Sequence, residues 1–211
     1  MPADRIHLIR HGEVHNPEKV IYGRLPHFRL SDRGRLMAKA ASDELLRQKR
    51  KVTGLVNSPL LRTRESAEPV AEAFGLDPKT DDRLIEPWNR FEGRRVGVAE
   101  LALRPYLWVQ LWNPMRPSWG EPFKQIAARM LAAMDDAYKS VPDGDVVLVS
   151  HQLPIEMVVR TLSGKSLPHD PRKRRTKLSS ITSFERRGDN WVEVDFKDPS
   201  AKLNPIDAGA V

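Results

Sequence analysis

Residues 5–13 read Arg5-Ile6-His7-Leu8-Ile9-Arg10-His11-Gly12-Glu13, a short apolar run that breaks at a cation, an imidazole and a glycine. Ile6 to Ile9 predict a strand, and the Arg-His-Gly after it falls where that strand opens into a loop. In α/β proteins, chemistry gathers at such strand ends. Gly12 has no Cβ, so the backbone turns sharply there and a bound group can approach closely. Arg10 offers a planar fork that holds a phosphate bidentately, which puts an anion beside His11. Taken alone, the stretch does not separate a site from an arginine and a histidine on the surface. The rest of the chain has to decide.

The pattern recurs near the other end. Val146 to Val149 are four successive apolar residues, the composition of a strand buried on both faces of a parallel sheet, and they end at Ser150-His151. A helix is expected from about Pro154 to Gly164, preceded by one from Phe123 to Val141 with its stripe at Ile126, Met130, Leu131 and Met134. Between the two histidines, Ser31 caps a helix running to about Lys51, whose expected buried stripe is Leu36, Ala40, Ala41 and Leu45. Val52 to Val56 form a second strand. Ser58 is then read as an N-cap and Pro59 as the first helical residue, placing Arg62 in the first turn, near the positive helix end. Pro69 should kink this helix and Gly75 end it. Thr80 to Ile85 read as a third extended segment leading to Glu86.

Asn16 is placed to add an amide donor near His11, and the segment around Tyr22-Gly23-Arg24 and His27 reads as loop. From about 88 to 122 the chain is rich in tryptophan, proline and arginine, with Trp88, Trp108, Trp112 and Trp119 among Arg90, Arg94, Arg95, Arg104 and Arg116. This is expected to be an insertion covering the site, or a small satellite core of tryptophans. Ser179 to Glu185 and Trp191 to Phe196 alternate about Gly188-Asp189, a hairpin extending the sheet antiparallel at its edge. The basic run Arg172 to Lys177 is read as a solvated loop, since no aromatic stacking platform is interleaved with it. The last dozen residues read as a loose tail.

At 211 residues, the chain is read as one domain able to bury a real core. With 40% hydrophobic and 30% charged residues it has the composition of a soluble globular protein. The absence of cysteine removes disulfides, thiolate metal sites and a cysteine nucleophile together, and suits a reducing interior. No apolar run reaches the roughly 18 residues of a membrane helix, and the N-terminus has no signal-peptide core, so a cytoplasmic location is expected. Thirty-five Lys and Arg against 28 Asp and Glu give a net charge of +7, a field that favours anionic partners.

Arg10-His11-Gly12, Ser58-Pro59-Leu60-Leu61-Arg62, Glu86 and Ser150-His151 thus stand in a set order, and together they resemble the histidine phosphatase superfamily, the phosphoglycerate-mutase-like fold. The likeness runs from about Arg5 to Phe196 and includes Leu30-Ser31 with Gly34, and Phe91-Glu92-Gly93. It implies an α/β three-layer sandwich with a mostly parallel central sheet, helices on both faces, an antiparallel edge hairpin and a lid insertion. It implies that His11 is the nucleophile, that Arg10, Arg62 and His151 bind the phosphoryl oxygens, and that Glu86 protonates the leaving oxygen. Asn16, Gly23, Arg24 and Gln152 are assigned to substrate binding, with no metal or other cofactor. The chain departs from the family where small glycine-type residues commonly follow the second histidine, since it has Gln152 and Leu153, and where a helical glutamine is common, since it has Met37.

The glycolytic mutases of the family are longer in their covering segments, so a phosphatase acting on a small phosphorylated substrate is the expectation, with a mutase-type phosphotransferase as the alternative. A non-enzymatic anion- or nucleic-acid-binding protein would use the +7 charge but would leave His11, His151 and Glu86 without a task.

Overall fold

The structure is a computed structural model and describes residues 2–90, 92–94 and 120–203. Most of the tryptophan-rich stretch, including Arg95, Arg104, Trp108, Trp112, Arg116 and Trp119, lies outside the described residues, as does the end of the tail from 204. The expected lid therefore has only its base on view, where Asn89 and Gly120 form an isolated antiparallel bridge that brings its two ends together.

The strands are β1 (Ile6–Arg10), β2 (Val52–Asn57), β3 (Lys79–Thr80), β4 (Asp145–Ser150), β5 (Ile181–Arg187) and β6 (Asn190–Lys197). They form one sheet in the order β3-β2-β4-β1-β5-β6. β1, β2, β3 and β4 run parallel, while β5 joins β1 and β6 joins β5 antiparallel. The helices are α1 (Asp32–Arg47), α2 (Leu61–Phe74), α3 (Phe123–Lys139) and α4 (Gln152–Leu162).

Strand periodicity assigns the two faces. Ile6 and Leu8 of β1 and Val146 and Leu148 of β4 join the core that holds Met130 and Met134 of α3 and Ile155 and Val158 of α4. Ile9, Val147 and Val149 point the other way, against Ala41 and Leu45 of α1 and Ala67 and Val70 of α2. Each such aliphatic side chain contributes about 1.5–3 kcal/mol on burial, so the two cores bracket the sheet and fix its register. Among the described residues, no helix is long and apolar enough to cross a membrane.

Four local expectations are corrected. In α1, Ala41 and Leu45 are buried as expected, but Leu36 is 57% exposed and Ala40 only partly buried, and Met37 and Ala38 complete the stripe in their place. Here the packing of α1 on α2 and the sheet, rather than side-chain size alone, selects the face. The third extended segment is a two-residue strand followed by a 3-10 turn at Asp82–Leu84, because the Asp81 carboxylate accepts the Arg83 N–H at 2.8 Å and caps that turn. α2 begins at Leu61 and not at Pro59, with no side-chain cap. The tail is anchored at its start, where the buried Ser200 donates to the Leu178 carbonyl at 2.6 Å.

Ser31 caps α1 as its sequence predicts, accepting from Gly34 N at 3.0 Å and donating to Glu13 at 2.6 Å. Gly12 and Gly34 make this junction possible. A Cβ on Gly12 would lie 2.3 Å from the Gly34 carbonyl oxygen, and one on Gly34 would lie 2.0 Å from that of Glu13. The loop after β1 is clasped to the start of α1 by backbone contact that only glycines allow.

Candidate active site

Because β1, β2 and β4 are parallel, their carboxyl ends open at one edge of the sheet, with β4 and β1 adjacent at its centre. Arg10 and His11 leave β1, Ser58 leaves β2, and His151 leaves β4 as the N-cap residue of α4. The rings of His11 and His151 meet edge to face, with centroids 5.1 Å apart.

His11 is buried, and its Nδ1 lies 2.8 Å from the Gly12 carbonyl oxygen. A carbonyl only accepts, so the proton is on Nδ1 and the lone pair on Nε2. Arg62 Nε donates toward that lone pair at 3.3 Å, which agrees with the tautomer. Burial, reinforced by the charges of Arg62 and Arg10, holds His11 well below the ordinary histidine value, against the opposing pull of the Gly12 hydrogen bond. The ring is therefore neutral and nucleophilic at neutral pH.

Arg62 is held from behind. Its Nη2 donates to the Gly23 carbonyl at 2.7 Å, and its guanidinium lies 4.8 Å from the centroid of the Tyr22 ring. Gly23 has φ +36, and a Cβ there would run into the Glu92 carboxylate at 2.3 Å. Arg10 Nη1 donates to the Thr176 carbonyl at 2.9 Å.

His151 is fully buried, with Nε2 against the Ser58 hydroxyl at 2.8 Å. Ser58, expected only as a helix cap, is a partner of the second histidine. Among the described residues, His151 Nδ1 has no hydrogen-bond partner and lies 3.6 Å from Glu86 Oε2. A hydroxyl suits either tautomer, and an anion at Nδ1 selects the one with the proton there. Burial, then Arg62 and His11, hold His151 well below its usual value.

Glu86 follows the 3-10 turn and is buried, which pushes its carboxyl above the ordinary range although Arg62, Arg174, Arg10 and Arg129 oppose the rise. Its backbone carbonyl accepts from Arg24 Nε at 2.6 Å. Arg24 also reaches Glu121 at 3.4 Å, and Glu121 is clamped by Arg129 at 2.8 and 3.0 Å. These contacts hold the segment that carries Glu86.

The structure thus brings Arg10, His11, Arg62, Glu86 and His151 to one place, with Gln152 beside them. Gly23 and Arg24 lie behind, supporting Arg62 and Glu86. Asn16 is engaged within its own loop, where its amide donates to the Val20 carbonyl at 2.8 Å and accepts the Val20 N–H at 3.2 Å. The basic run is not uniformly solvated: Arg172, Lys173 and Arg175 are exposed, but Thr176 is buried and Arg174 turns inward. Nothing in the one-dimensional pattern distinguished Arg174 from its neighbours.

Comparison with known proteins agrees with this geometry. Residues 6–199 match the histidine phosphatase superfamily (branch 1). An uncharacterised protein of Mycobacterium tuberculosis is 47% identical over 203 residues, covering 95% of this chain and 100% of that protein. A probable phosphoglycerate mutase of Yersinia enterocolitica is 26% identical over 213 residues, covering 93% of this chain and 92% of that protein. The mycobacterial glucosyl-3-phosphoglycerate phosphatase structure superposes with a TM-score of 0.72 at 23% identity, covering 90% of this chain and 97% of that one.

Proposed function

The chain belongs to the histidine phosphatase superfamily, and from that premise we propose that it is a metal-independent phosphatase that hydrolyses a phosphate monoester through a phosphohistidine on His11. Nε2 of His11 attacks phosphorus, the bond to the ester oxygen breaks, and that oxygen takes the proton of Glu86. The Nδ1 proton stays on the ring, and the Gly12 carbonyl stabilises the charge that phosphorylation leaves there. Arg10, Arg62 and the Nδ1–H of His151 hold the equatorial oxygens, over which the transition-state charge spreads. Water then attacks the phosphohistidine, its proton passes to the Glu86 carboxylate, the N–P bond breaks, and phosphate leaves.

The single observation that carries this reading is the His11 Nδ1 to Gly12 hydrogen bond, which fixes the lone pair on Nε2, facing the buried Arg62 and within the field of Arg10. Guanidinium groups already supply the positive charge for which other phosphatases recruit a metal. The cysteine-free sequence supports a cytoplasmic location, and a small phosphorylated molecule rather than nucleic acid is the partner.

The likeness to a probable mutase favours a second reading, transfer of the phosphoryl group to another alcohol. Hydrolysis of p-nitrophenyl phosphate after exhaustive EDTA treatment, with inorganic phosphate counted against nitrophenol, tests both. Retained turnover with one phosphate released per nitrophenol is expected. Activity that EDTA removes and a divalent ion restores would overturn the metal-free mechanism, and phosphate appearing on an added alcohol in place of free phosphate would favour the transferase.

A further inference from the structure

Arg174 is a half-buried cation with neutral partners. Its Nε donates to His169 Nε2 at 2.8 Å, and its Nη1 donates to Gln152 Oε1 at 3.2 Å. His169 Nδ1 in turn donates to the Leu167 carbonyl at 2.6 Å, so the ring presents a lone pair to Arg174 and is itself uncharged. Among the described residues, no carboxylate forms an ion pair with Arg174, and its Nη2 makes no hydrogen bond. Glu86 and Glu156 lie near enough to favour its charge but neither pairs with it directly, so two neutral acceptors fix and aim a partly desolvated cation without neutralising it.

Its aim is set by the site. Gln152 follows His151 directly, and its Nε2 donates at 3.2 Å to the Thr176 carbonyl, the same oxygen that accepts Arg10. One carbonyl and one amide therefore tie Arg174 to the phosphoryl-binding Arg10 and to the chain at His151. Glu86, the proton donor on the leaving-group side, feels Arg174 more than any cation except Arg62.

We propose that Arg174, held by Gln152 and His169, is the handle for a second acidic group of the substrate, a carboxylate carried on the leaving alcohol. The proposal rests on the phosphatase reading and deepens it. It also accounts for Gln152 standing where the family commonly has a small residue, since the amide is what aims the guanidinium. A carboxylate seated on Arg174 offsets that cation's pull on Glu86 and keeps the donor protonated for the leaving oxygen.

The test compares phosphoglycolate with ethylene glycol monophosphate, and 3-phosphooxypropionate with propanediol monophosphate, pairs that differ only in replacing the carboxylate by a hydroxymethyl. In the wild-type enzyme, kcat/KM should favour the acid. Arg174→Ala should cost the acid about tenfold more than its neutral mate, mainly through KM, and Arg174→Lys should restore part of the difference. Equal losses on both members of each pair would overturn the proposal, and Arg174 would only frame Arg10. Calorimetric binding of phosphoglycolate to the His11→Ala protein, with and without Arg174→Ala, reads the handle apart from turnover. About tenfold weaker binding supports it and equal affinity overturns it, even if the wild-type protein hydrolyses neither ester and the phosphatase reading falls.

Discussion

Two buried histidine clusters sit on the same pair of central strands, and they are built in opposite ways. At the start of the strands, His7 and Asp145 are both 0% exposed, and every polar edge is answered. His7 Nδ1 meets the Ser183 hydroxyl at 2.8 Å and Nε2 meets Asp145 at 3.0 Å, while Arg50 grips the same carboxylate at 2.5 and 2.8 Å. Burial alone would raise the Asp145 carboxyl, but hydrogen bonds from Arg50 and His7 outweigh it and hold the group below its usual range. About 13 Å along β1, at the other end, His11 shows its lone pair to an arginine and, among the described residues, His151 Nδ1 has no hydrogen-bond partner. A serine, a histidine and an aspartate in hydrogen-bond contact resemble a catalytic set at the first end, yet its groups are satisfied and sealed from solvent. The second end leaves its groups incompletely answered, which is how a site waits for an anion.

The sharpest way to break this contrast is to delete one histidine from each end. His11→Ala should lower phosphatase turnover by about 10³-fold or more and leave thermal unfolding almost unchanged, because the side chain's hydrogen bonds go to the adjacent Gly12 carbonyl and, at 3.3 Å, to Arg62, while its proposed work is covalent. His7→Ala should do the reverse, costing about 3 kcal/mol of stability in urea unfolding through the cavity and the weakened grip on buried Asp145, with far less effect on the chemical step. If both variants lost stability and activity alike, the division between the two ends would be wrong.

A smaller effect sharpens the role of Glu86. Glu86→Gln keeps the shape and loses the proton, so single-turnover phosphorylation of His11 by an alkyl ester should fall about tenfold more than phosphorylation by p-nitrophenyl phosphate, whose leaving group needs no acid. Since burial raises the Glu86 pKa, wild-type phosphorylation by the alkyl ester should decline on the alkaline side as the donor ionises, and that limb should vanish in the variant. Parallel losses on both esters would leave Glu86 as a binding residue.

The smallest expected effect is on stability against pH. The folded values of His11 and His151 lie well below 6.5, with burial the main cause, so below that pH the unfolded chain binds protons that the folded one refuses. Stability from this source is complete above about pH 6.5 and is lost as pH falls toward the folded values. Glu86 acts with the opposite sign, since its raised value favours folding at low pH and loses that contribution as pH rises through it. Urea midpoints at pH 5 and 7.5 should therefore draw closer together in His11→Ala than in the wild type, and an unchanged gap would contradict the assignment of a buried neutral His11.

Much of this was legible in the sequence because it is local. An apolar run ending in Arg-His-Gly, a second ending in Ser-His, a Ser31 cap and a Gly75 in the left-handed conformation that ends α2 are each decided by a few neighbouring residues. What escaped depends on contacts between distant segments. Ser58 looks like a cap until β2 is seen beside β4, where its hydroxyl lies against His151, 93 residues away. Arg174 is one cation in a basic run until Gln152, 22 residues earlier, turns it inward. In α1, Ala41 and Leu45 were legible, but Leu36, large and apolar, faces solvent while Met37 and the smaller Ala38 take the packed face.

The state of His11 during turnover decides the mechanism most directly. Wild-type protein mixed with p-nitrophenyl phosphate and quenched in alkali within one turnover should carry one phosphoryl group that is stable to base, labile to acid, and mapped by mass spectrometry to the peptide containing His11. The same trace should be empty in His11→Ala. A phosphoryl group found on another residue, or an enzyme that turns over fully while none accumulates and that retains its rate without His11, would contradict a phosphohistidine mechanism at this site.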